Sequence, residues 1–430
     1  MLRRTFLGTS VAAAAAQIPS ASTKFIAGVC THFAQGKGSV DANLAMIAQA
    51  GVTSIRDEAS WGGVEREKDK LALPASHDAY VKSTLAAGLD PLMVLDYGNR
   101  HYDGGDKPVS PEAIEGFARY AEFMVRHFLG KIRMYEIWNE WDISIGGTQP
   151  GTAETYVNLL KAVYPRMKAI DPSLLIMGGG MTSGGIRKGW LDCMLEAGAL
   201  ASCDAVSIHT YNYSGKDRAR TPEAWLEFCV QAEASLQKAN NGRDVPLYVT
   251  EMGWPTHSAP NGTTPQLSAA YLARMYLLAR TMPYLRGIWW YDFQDDGWRP
   301  EYNENNFGMV RPDLTAKPAY WAMKDIAGFA AQCEFVWRLE ASDMQIDALQ
   351  FRQPDGKFAL ALWSEAGERR VRLHSSARGP GVQIREAGRA SVGRHWGARD
   401  PVAANEIALA LNDTPIIVTG VPFDVTIKSA

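Results

Sequence analysis

Short apolar runs alternate with amphipathic segments along most of the chain. Eight runs of mostly apolar residues lie at residues 25–30, 53–56, 92–95, 132–138, 174–177, 205–208, 247–250 and 287–291, and they are typical of strands covered on both faces of a sheet. Segments with helical periodicity separate them. Strands that alternate with helices form parallel sheets, and eight is the strand number of a barrel. The pattern predicts an α/β fold, a (β/α)8 TIM barrel.

The helical segments have recognisable ends. Ser110, Thr221 and Thr264 each stand before a proline, the pattern of an N-cap residue followed by proline at the first helical position. After Ser110, apolar residues recur with the helical period at positions 114, 117, 118, 121, 125 and 128. One face of that helix is therefore predicted to pack on the sheet. Glycines suited to the C-terminal end of a helix follow other segments, at Gly51, Gly88, Gly130 and Gly198.

A doubly wound open sheet is the rival arrangement. That fold would carry a Gly-x-Gly-x-x-Gly turn after its first strand, and the sequence has none there. The run Gly178-Gly179-Gly180 lacks the Lys-Ser/Thr of a phosphate-binding loop. We interpret it as a tight turn at the rim of the barrel.

The pattern changes after about residue 335, where short alternating strands replace the helical segments. Residues 343–352 and 357–364 flank Gln353-Pro354-Asp355-Gly356, a turn signal between two strands, and further strands are predicted at 371–374, 382–384, 407–411 and 416–419. We predict a small antiparallel, β-sandwich-like domain over residues 336–430 that packs against the barrel, which spans residues 22–335. The expected role of this domain is structural, and Trp363 and Trp396 are its candidates for an aromatic binding platform.

The first 21 residues read as an export signal. Arg3-Arg4 precedes a short, alanine-rich apolar run, and Pro19-Ser20-Ala21 offers a small-residue cleavage site. The apolar run is too short to span a bilayer, and no later stretch approaches a transmembrane helix. We expect a twin-arginine signal peptide over residues 1–21, a mature chain that is periplasmic or secreted, and no membrane insertion of that mature form.

Composition narrows the choice of partners. The 430-residue chain has a net charge of −3, which does not favour nucleic acid or an anionic membrane as a partner. Its five cysteines show no metal-binding spacing and are predicted to be buried free thiols. Asp292, Asp295 and Asp296 follow the eighth strand, but their spacing is not that of an EF-hand calcium loop. We predict no metal and no cofactor.

Two predicted strands end in a glutamate close to tryptophan. Glu140 follows the fourth strand beside Trp141, and Glu251 follows the seventh strand three residues before Trp254. A barrel keeps its active site at the carboxyl ends of its strands, so these side chains are expected to converge. Carboxyl groups about 5 Å apart suit a retaining glycosidase, whereas inversion needs a wider gap for water. A single strand-end glutamate is more often a salt-bridge partner, but two together favour catalysis.

These residues resemble a known group of enzymes. Trp138-Asn139-Glu140 is similar to the acid/base signature of the clan A glycoside hydrolases, and Thr250-Glu251 with Met252-Gly253-Trp254 is similar to their nucleophile strand. The resemblance extends over the barrel, through Arg56 on the second strand, His209-Thr210-Tyr211 on the sixth and Trp289-Trp290-Tyr291 on the eighth. Within the clan, the chain most resembles family 39, including its bacterial exopolysaccharide-hydrolysing members. Family 5 and others with a similar barrel are further candidates.

The resemblance implies a role for each matching residue. Glu140 would be the general acid and then the general base, and Glu251 would be the nucleophile. Arg56 and the Tyr211 hydroxyl would keep Glu251 ionised. Asn139 would bind the sugar 2-hydroxyl, and Trp290 would form the floor beneath the sugar.

Seven further residues are weaker candidates for sugar contacts. His32, Asn99 and His209 follow strand ends and would bind hydroxyl groups or support the residues that do. Trp254 would stack on a sugar ring, as would Trp61, Trp141 or Trp298, although core packing is an equally good account of any single tryptophan.

The sequence therefore predicts a retaining glycoside hydrolase that acts on β-linked oligo- or polysaccharides outside the cytoplasm. One alternative is a transglycosylase with the same glutamate pair, in which an acceptor sugar replaces water. Another is a carbohydrate-binding barrel without catalysis, which would keep the aromatic residues and lose the acids.

Overall fold

The protein is described from a computed structural model, which covers residues 24–341, 345–375, 382–388 and 406–429. The predicted signal peptide and Trp396 lie outside these residues. Eight parallel strands close a barrel in sequence order, with the first paired to the last. They are β1 (Ile26–Cys30), β2 (Ser54–Ser60), β3 (Asp90–Asp96), β4 (Met134–Ile137), β5 (Leu175–Thr182), β6 (Ala205–His209), β7 (Leu247–Met252) and β8 (Leu285–Trp290). The TIM barrel prediction is confirmed.

Helices occupy the connections between the strands and cover the outside of the barrel. They are α1 (Val40–Gln49), α2 (Trp61–Val64), α3 (Ala75–Ala86), α4 (Pro111–His127), α5 (Ala153–Ile170), α6 (Ser183–Arg187), α7 (Trp190–Glu196), α8 (Pro222–Ala239), α9 (Pro265–Ala279) and α10 (Pro318–Gln332). Ser110, Thr221 and Thr264 cap α4, α8 and α9 by accepting a hydrogen bond from a backbone N–H of the first turn. These predicted helix starts are confirmed. No helix of the described residues is both long and apolar enough to cross a bilayer.

The glycine run 178–180 lies within β5 rather than in a turn, so that interpretation was wrong. Gly179 and Gly180 have φ of 129° and 55°, and the pairing of β5 with β6 shifts between Gly179 and Met181. A bulge of this kind needs backbone angles that glycine adopts readily. It brings the Gly180 carbonyl to the Glu140 N–H at 2.9 Å. The bulge therefore fixes the backbone of the chain segment that follows β4.

Two antiparallel sheets follow the barrel, as predicted. Their strands are β9 (Glu334–Arg338), β10 (Ile346–Arg352), β11 (Phe358–Ser364), β12 (Arg369–His374), β13 (Gln383–Glu386), β14 (Glu406–Leu411), β15 (Ile416–Val421) and β16 (Thr426–Ser429). One sheet has the order β13-β15-β11-β10-β9 and the other has the order β14-β12-β16. The sequence pattern did not predict β9 or β16.

The larger sheet packs against the barrel through one of its faces. Leu349, Phe351 and Trp363 belong to the main core of the protein, and the Trp363 indole donates a 3.0 Å hydrogen bond to Glu223 of α8. Trp363 is fully buried, so it cannot serve as an exposed carbohydrate platform. The five cysteines are free thiols, as predicted, although Cys193 is exposed.

Candidate active site

A cavity of about 480 Å³ opens at the carboxyl ends of the barrel strands. Glu140, Glu251, Arg56, Asn139, Tyr211 and His32 line it together, so it collects six of the residues predicted from the sequence. A larger cavity of about 640 Å³ lies at the opposite end of the barrel, around residues such as Ile26, Asp90 and Met134. Neither glutamate lines that second cavity. Because barrel chemistry lies at the carboxyl ends of strands, the smaller cavity is the candidate site.

The two glutamates converge on one imidazole. His209 Nδ1 lies 2.9 Å from Glu140 Oε1 and 3.6 Å from Glu251 Oε2. One oxygen of each carboxyl group and a nitrogen of His209 all lie within 4.8 Å of one another. Carboxyl groups of retaining glycosidases lie about 5 Å apart, whereas those of inverting enzymes are roughly 6.5–9.5 Å apart. The spacing therefore suits direct attack by a carboxylate.

The backbone after β4 is held in an unusual conformation. Trp138 and Glu140 have φ of 69° and 53°, in the left-handed region that non-glycine residues seldom adopt. The Glu140 N–H is bonded to Gly180, and the Trp138 N–H donates to the Leu95 carbonyl at 2.8 Å. Such strain persists where the surrounding structure enforces it and is concentrated at functional sites.

Arg56 is the central cation of the site. Its Nη1 donates to Glu251 at 2.6 Å, its Nε donates to Glu136 at 2.7 Å, and its Nη2 donates to Asn139 at 2.9 Å. Glu136 is fully buried and also accepts a 2.7 Å hydrogen bond from Thr250. Arg56 therefore links the two strands that carry the acids. Sequence reasoning missed Glu136, although a glutamate inside an apolar strand is itself a signal for a buried ion pair.

The two acids have opposite electrostatic environments. Burial raises the pKa of Glu140, and the negative charge of Glu251 adds to this, although His209 acts against it. Burial also opposes ionisation of Glu251, but His209, Arg56 and the Tyr211 hydroxyl outweigh it and lower the pKa of that carboxyl group. Tyr211 donates to Glu251 Oε2 at 2.9 Å. One acid is therefore set to hold a proton and the other to stay ionised.

His209 and Asn139 support this arrangement. Burial lowers the pKa of His209, but the charges of Glu251 and Glu140 outweigh it and raise that pKa above its usual value. His209 and Glu140 therefore titrate together as a hydrogen-bonded pair, with Nδ1 2.9 Å from Oε1. Asn139 accepts from Arg56 and donates to the Tyr97 hydroxyl at 3.0 Å. Its amide is fixed beside Glu140 at the wall of the cavity.

His32 lies at the edge of the cavity in a cluster of its own. Its Nδ1 is 3.0 Å from Asp296 and 3.3 Å from Asp292, and Lys37 lies 2.5 Å from Asp296. Burial raises the pKa of Asp292 to about 7. The nitrogen of His32 and one oxygen of each aspartate lie within 4.8 Å of one another, a spacing that a metal ion could bridge. In this structure, Lys37 and His32 supply the positive charge for the two aspartates.

Three predicted sugar contacts are corrected by the structure. Trp290 is fully buried, donates its indole N–H to the Phe307 carbonyl and does not line the cavity, whereas its neighbour Tyr291 does. Trp254 is fully buried against Trp290 and donates to the Arg220 carbonyl at 2.7 Å. Asn99 is buried and donates to the Glu65 carbonyl at 2.9 Å, so it stabilises the loop that contains Glu65. The fully buried Trp61 and Trp141 are core residues too.

Known glycoside hydrolases resemble this chain in fold. No protein-family model matches the chain. A family 39 glycoside hydrolase from the gut symbiont Bacteroides cellulosilyticus WH2 superposes with a TM-score of 0.75 and 26% sequence identity, over 93% of this chain and 81% of that one. A monomeric beta-xylosidase from Caulobacter crescentus CB15 has a TM-score of 0.66 at 16% identity, over 93% and 96% of the two chains, and shows the shared fold.

A curated relative carries a similar description. It is a protein from Hordeum vulgare, provisionally named a glucan endo-1,3-beta-glucosidase, and is 31% identical over 125 residues. The match spans 28% of this chain and 37% of the relative. Together with the family 39 structure, it bears out the predicted resemblance to clan A glycoside hydrolases, since both proteins are described as glycoside-cleaving enzymes of the class predicted from the sequence.

Proposed function

We propose that the protein is a retaining glycoside hydrolase that cleaves β-glycosidic bonds of an oligo- or polysaccharide through a covalent glycosyl-enzyme. The observation that carries the proposal is the pairing of Glu140 and Glu251, whose nearest carboxylate oxygens lie within 4.8 Å and whose pKa values are shifted in opposite directions. The β linkage is supported by the names of the relatives, a beta-xylosidase and a glucan endo-1,3-beta-glucosidase.

In the first step, a Glu251 oxygen attacks the anomeric carbon. The bond from that carbon to the leaving oxygen breaks, and Glu140 transfers its proton to this oxygen. Arg56 and Tyr211 hold the attacking carboxylate in place through one hydrogen bond to each of its oxygens. The products of this step are the free leaving alcohol and a sugar bound to Glu251 as an ester.

In the second step, Glu140 acts as a base. It takes a proton from a water molecule, whose oxygen attacks the anomeric carbon as the ester bond to Glu251 breaks. His209 Nδ1 lies 2.9 Å from Glu140 and 3.6 Å from Glu251, so it orients Glu140 and faces both carboxyl groups through the two steps. Asn139, fixed by Arg56 and Tyr97, is placed to bind a hydroxyl group of the sugar beside the reacting carbon.

The test of this function is the anomeric configuration of the first product. A screen of nitrophenyl xylosides, glucosides, mannosides, galactosides and arabinosides, beside soluble polysaccharides, would provide a substrate. Proton NMR of the first-formed sugar should then show the β-anomer. Formation of the α-anomer would contradict the double displacement, and binding without turnover would favour the non-catalytic alternative. Product analysis at high substrate concentration separates hydrolysis from transglycosylation.

We also propose export by the twin-arginine route, on the basis of Arg3-Arg4 and the small-residue run before Ser22. N-terminal sequencing of exported protein should place the mature start near Ser22. Export that survives replacement of both arginines by lysine would contradict this route.

A further inference from the structure

The loop that follows β8 exposes a tryptophan on the face of the barrel that holds the catalytic cavity. Trp298 is 65% exposed, the highest fraction among the exposed large apolar side chains of the described residues, whereas eight other tryptophans are fully buried. Within the described part of the chain, its indole makes no hydrogen bond, and no other ring or cation packs on it. A flat apolar face with one polar N–H is therefore open to solvent.

The loop holds Trp298 in place through the two residues that follow it. The Arg299 carbonyl accepts a 2.8 Å hydrogen bond from the Asn306 side chain. The Pro300 carbonyl accepts a 2.6 Å hydrogen bond from the backbone N–H of Ser258, which belongs to the segment after β7. A side chain on a loop that is already fixed loses less conformational entropy when a ligand binds to it.

Trp298 borders a depression of about 260 Å³ between the segments that follow β7 and β8. The buried ion pair of Lys317 and Asp295, 2.7 Å apart, also lines this depression. Arg311 lines it too and is exposed, and its guanidinium group has no hydrogen-bond or ion-pair partner among the described residues. The depression therefore combines an open aromatic face with free hydrogen-bond donors. This combination suits a sugar ring, which has an apolar C–H face and hydroxyl groups at its edge.

The depression adjoins the catalytic cavity through an intermediate cleft. Asp295 and Pro312 line both the depression and a cleft of about 230 Å³. Thr31 and His32 line both this cleft and the catalytic cavity. The three hollows therefore lie in a row at the carboxyl end of the barrel. A polymer chain that is cleaved in the cavity can extend along this row to Trp298, whereas an aryl glycoside is too short to do so.

We propose that Trp298 and the depression beside it form a second carbohydrate-binding site, which takes a glycosyl unit of the polysaccharide substrate outside the catalytic cavity. The Trp298 indole stacks on the sugar ring, and Arg311 donates to its hydroxyl groups. The inference rests on the proposed function, which makes a sugar the occupant of the catalytic cavity. It narrows the substrate class to polymers long enough to extend across all three hollows.

Affinity electrophoresis measures polysaccharide binding separately from turnover. The parent chain carries Glu251→Ala so that the polymer stays intact, and the gels contain soluble xylan, β-1,3-glucan, β-1,4-glucan or mannan. Trp298→Ala, Trp298→Phe and Arg311→Ala are each added to this parent. Trp321→Ala is the matched control, because Trp321 is an exposed tryptophan on α10 that lines none of the three hollows. In the active enzyme, the same substitutions are compared by the ratio of kcat/KM on the polymer to kcat/KM on an aryl glycoside.

We expect Trp298→Ala to weaken binding of the retained polysaccharide roughly tenfold, the effect of losing one stacked aromatic ring. Trp298→Phe should keep part of the affinity, because a ring remains. Arg311→Ala should weaken binding by roughly twofold to tenfold, the effect of one lost hydrogen bond. Trp321→Ala should bind as the parent does. In the active enzyme, the kcat/KM ratio should fall in Trp298→Ala and Arg311→Ala and stay constant in Trp321→Ala.

Four results would overturn the inference. Three of them are a parent that none of the polysaccharides retains, unchanged binding in Trp298→Ala, and an equal loss of binding in Trp321→Ala. The fourth is a dimer that Trp298→Ala dissociates in sedimentation experiments without any change in polysaccharide binding, since Trp298 would then contact a second copy of the chain. Failure of the proposed function looks different, because polysaccharide binding would depend on Trp298 although the wild type turned over no glycoside.

Discussion

Arg56 donates to Glu251 over 2.6 Å and is also bonded to the fully buried Glu136 over 2.7 Å. One buried guanidinium thus compensates two buried carboxylates. Arginine suits this position because its planar fork offers several donors in fixed directions, whereas a lysine ammonium is a single point charge. Together with the charge of His209 and the Tyr211 hydroxyl, this contact lowers the pKa of Glu251 and keeps it ionised despite its burial.

Arg56→Lys should therefore be a damaging substitution. The lysine keeps the charge but cannot reach Glu136, Glu251 and Asn139 together, so charge-assisted hydrogen bonds of roughly 1.5–3 kcal/mol each are lost and kcat/KM falls by roughly tenfold to a hundredfold or more. Steady-state kinetics on an aryl glycoside measures this, and the exposed Arg133→Lys is the control. Wild-type kinetics in Arg56→Lys would show that the hydrogen bonds of the guanidinium group to its three partners are not needed for activity.

His209→Asn should move the whole pH profile of kcat/KM upward. Burial raises the pKa of Glu140 and opposes ionisation of Glu251, while His209 lowers the pKa of both. Without His209, Glu251 ionises at a higher pH, which shifts the acid limb up, and Glu140 keeps its proton to a higher pH, which shifts the basic limb up. His127→Asn, on the surface, should leave both limbs unchanged. A downward shift of either limb would contradict the assigned roles.

Much of the site could be predicted because its residues stand at the ends of apolar strand segments. Glu140 and Glu251 were found from that position, and the barrel predicts that their side chains meet. The prediction that Trp290 contacts the sugar was wrong because successive side chains of a strand point to opposite faces. Trp289 points into the barrel, so Trp290 points outward and Tyr291 faces the cavity. Apolar content alone does not reveal which of two neighbouring residues faces the cavity. A shift of one position moves a side chain from the cavity wall into the core.

Other features depend on contacts between distant parts of the chain. The role of Glu136 follows from a contact inside the barrel, since Arg56 of β2 reaches this β4 residue past the intervening strand β3. The bulge at Gly179 and Gly180 shows itself through pairing with β6, not through a local turn signal. β9 and β16 are short and lie at sheet edges, where the alternating pattern is weak.

Trp254→Phe tests the correction at that residue. Trp254 is fully buried, so a smaller ring should lower the free energy of unfolding by about 1–3 kcal/mol while KM for an aryl glycoside stays within about twofold. Tyr291→Ala is the comparison, because Tyr291 lines the cavity and its loss should raise KM. Urea unfolding and steady-state kinetics measure the two effects. A rise of KM in Trp254→Phe at unchanged stability would restore the sugar-stacking interpretation.

His32 should make stability depend on pH. Burial lowers the pKa of His32, but Asp292 and Asp296 raise it overall to about 10. Because the folded pKa lies above the unfolded value of about 6.5, this contribution is fully present below about pH 6.5 and is lost as the pH rises toward 10. The free energy of unfolding should fall over this range in the wild type and fall less in His32→Asn. Equal slopes in urea titrations at pH 6, 8 and 10 would contradict the ion pairs.

The most direct test of the catalytic account is the anomeric configuration of the azide product in two variants. In Glu140→Ala, an activated dinitrophenyl glycoside should still load Glu251, and azide, which needs no base, should release the sugar as the glycosyl azide with retained configuration. In Glu251→Ala, activity without azide should fall by about 10⁴-fold or more, and azide should attack directly and give the inverted azide. If NMR showed the same azide anomer from both variants, the division of roles between Glu140 and Glu251 would be wrong.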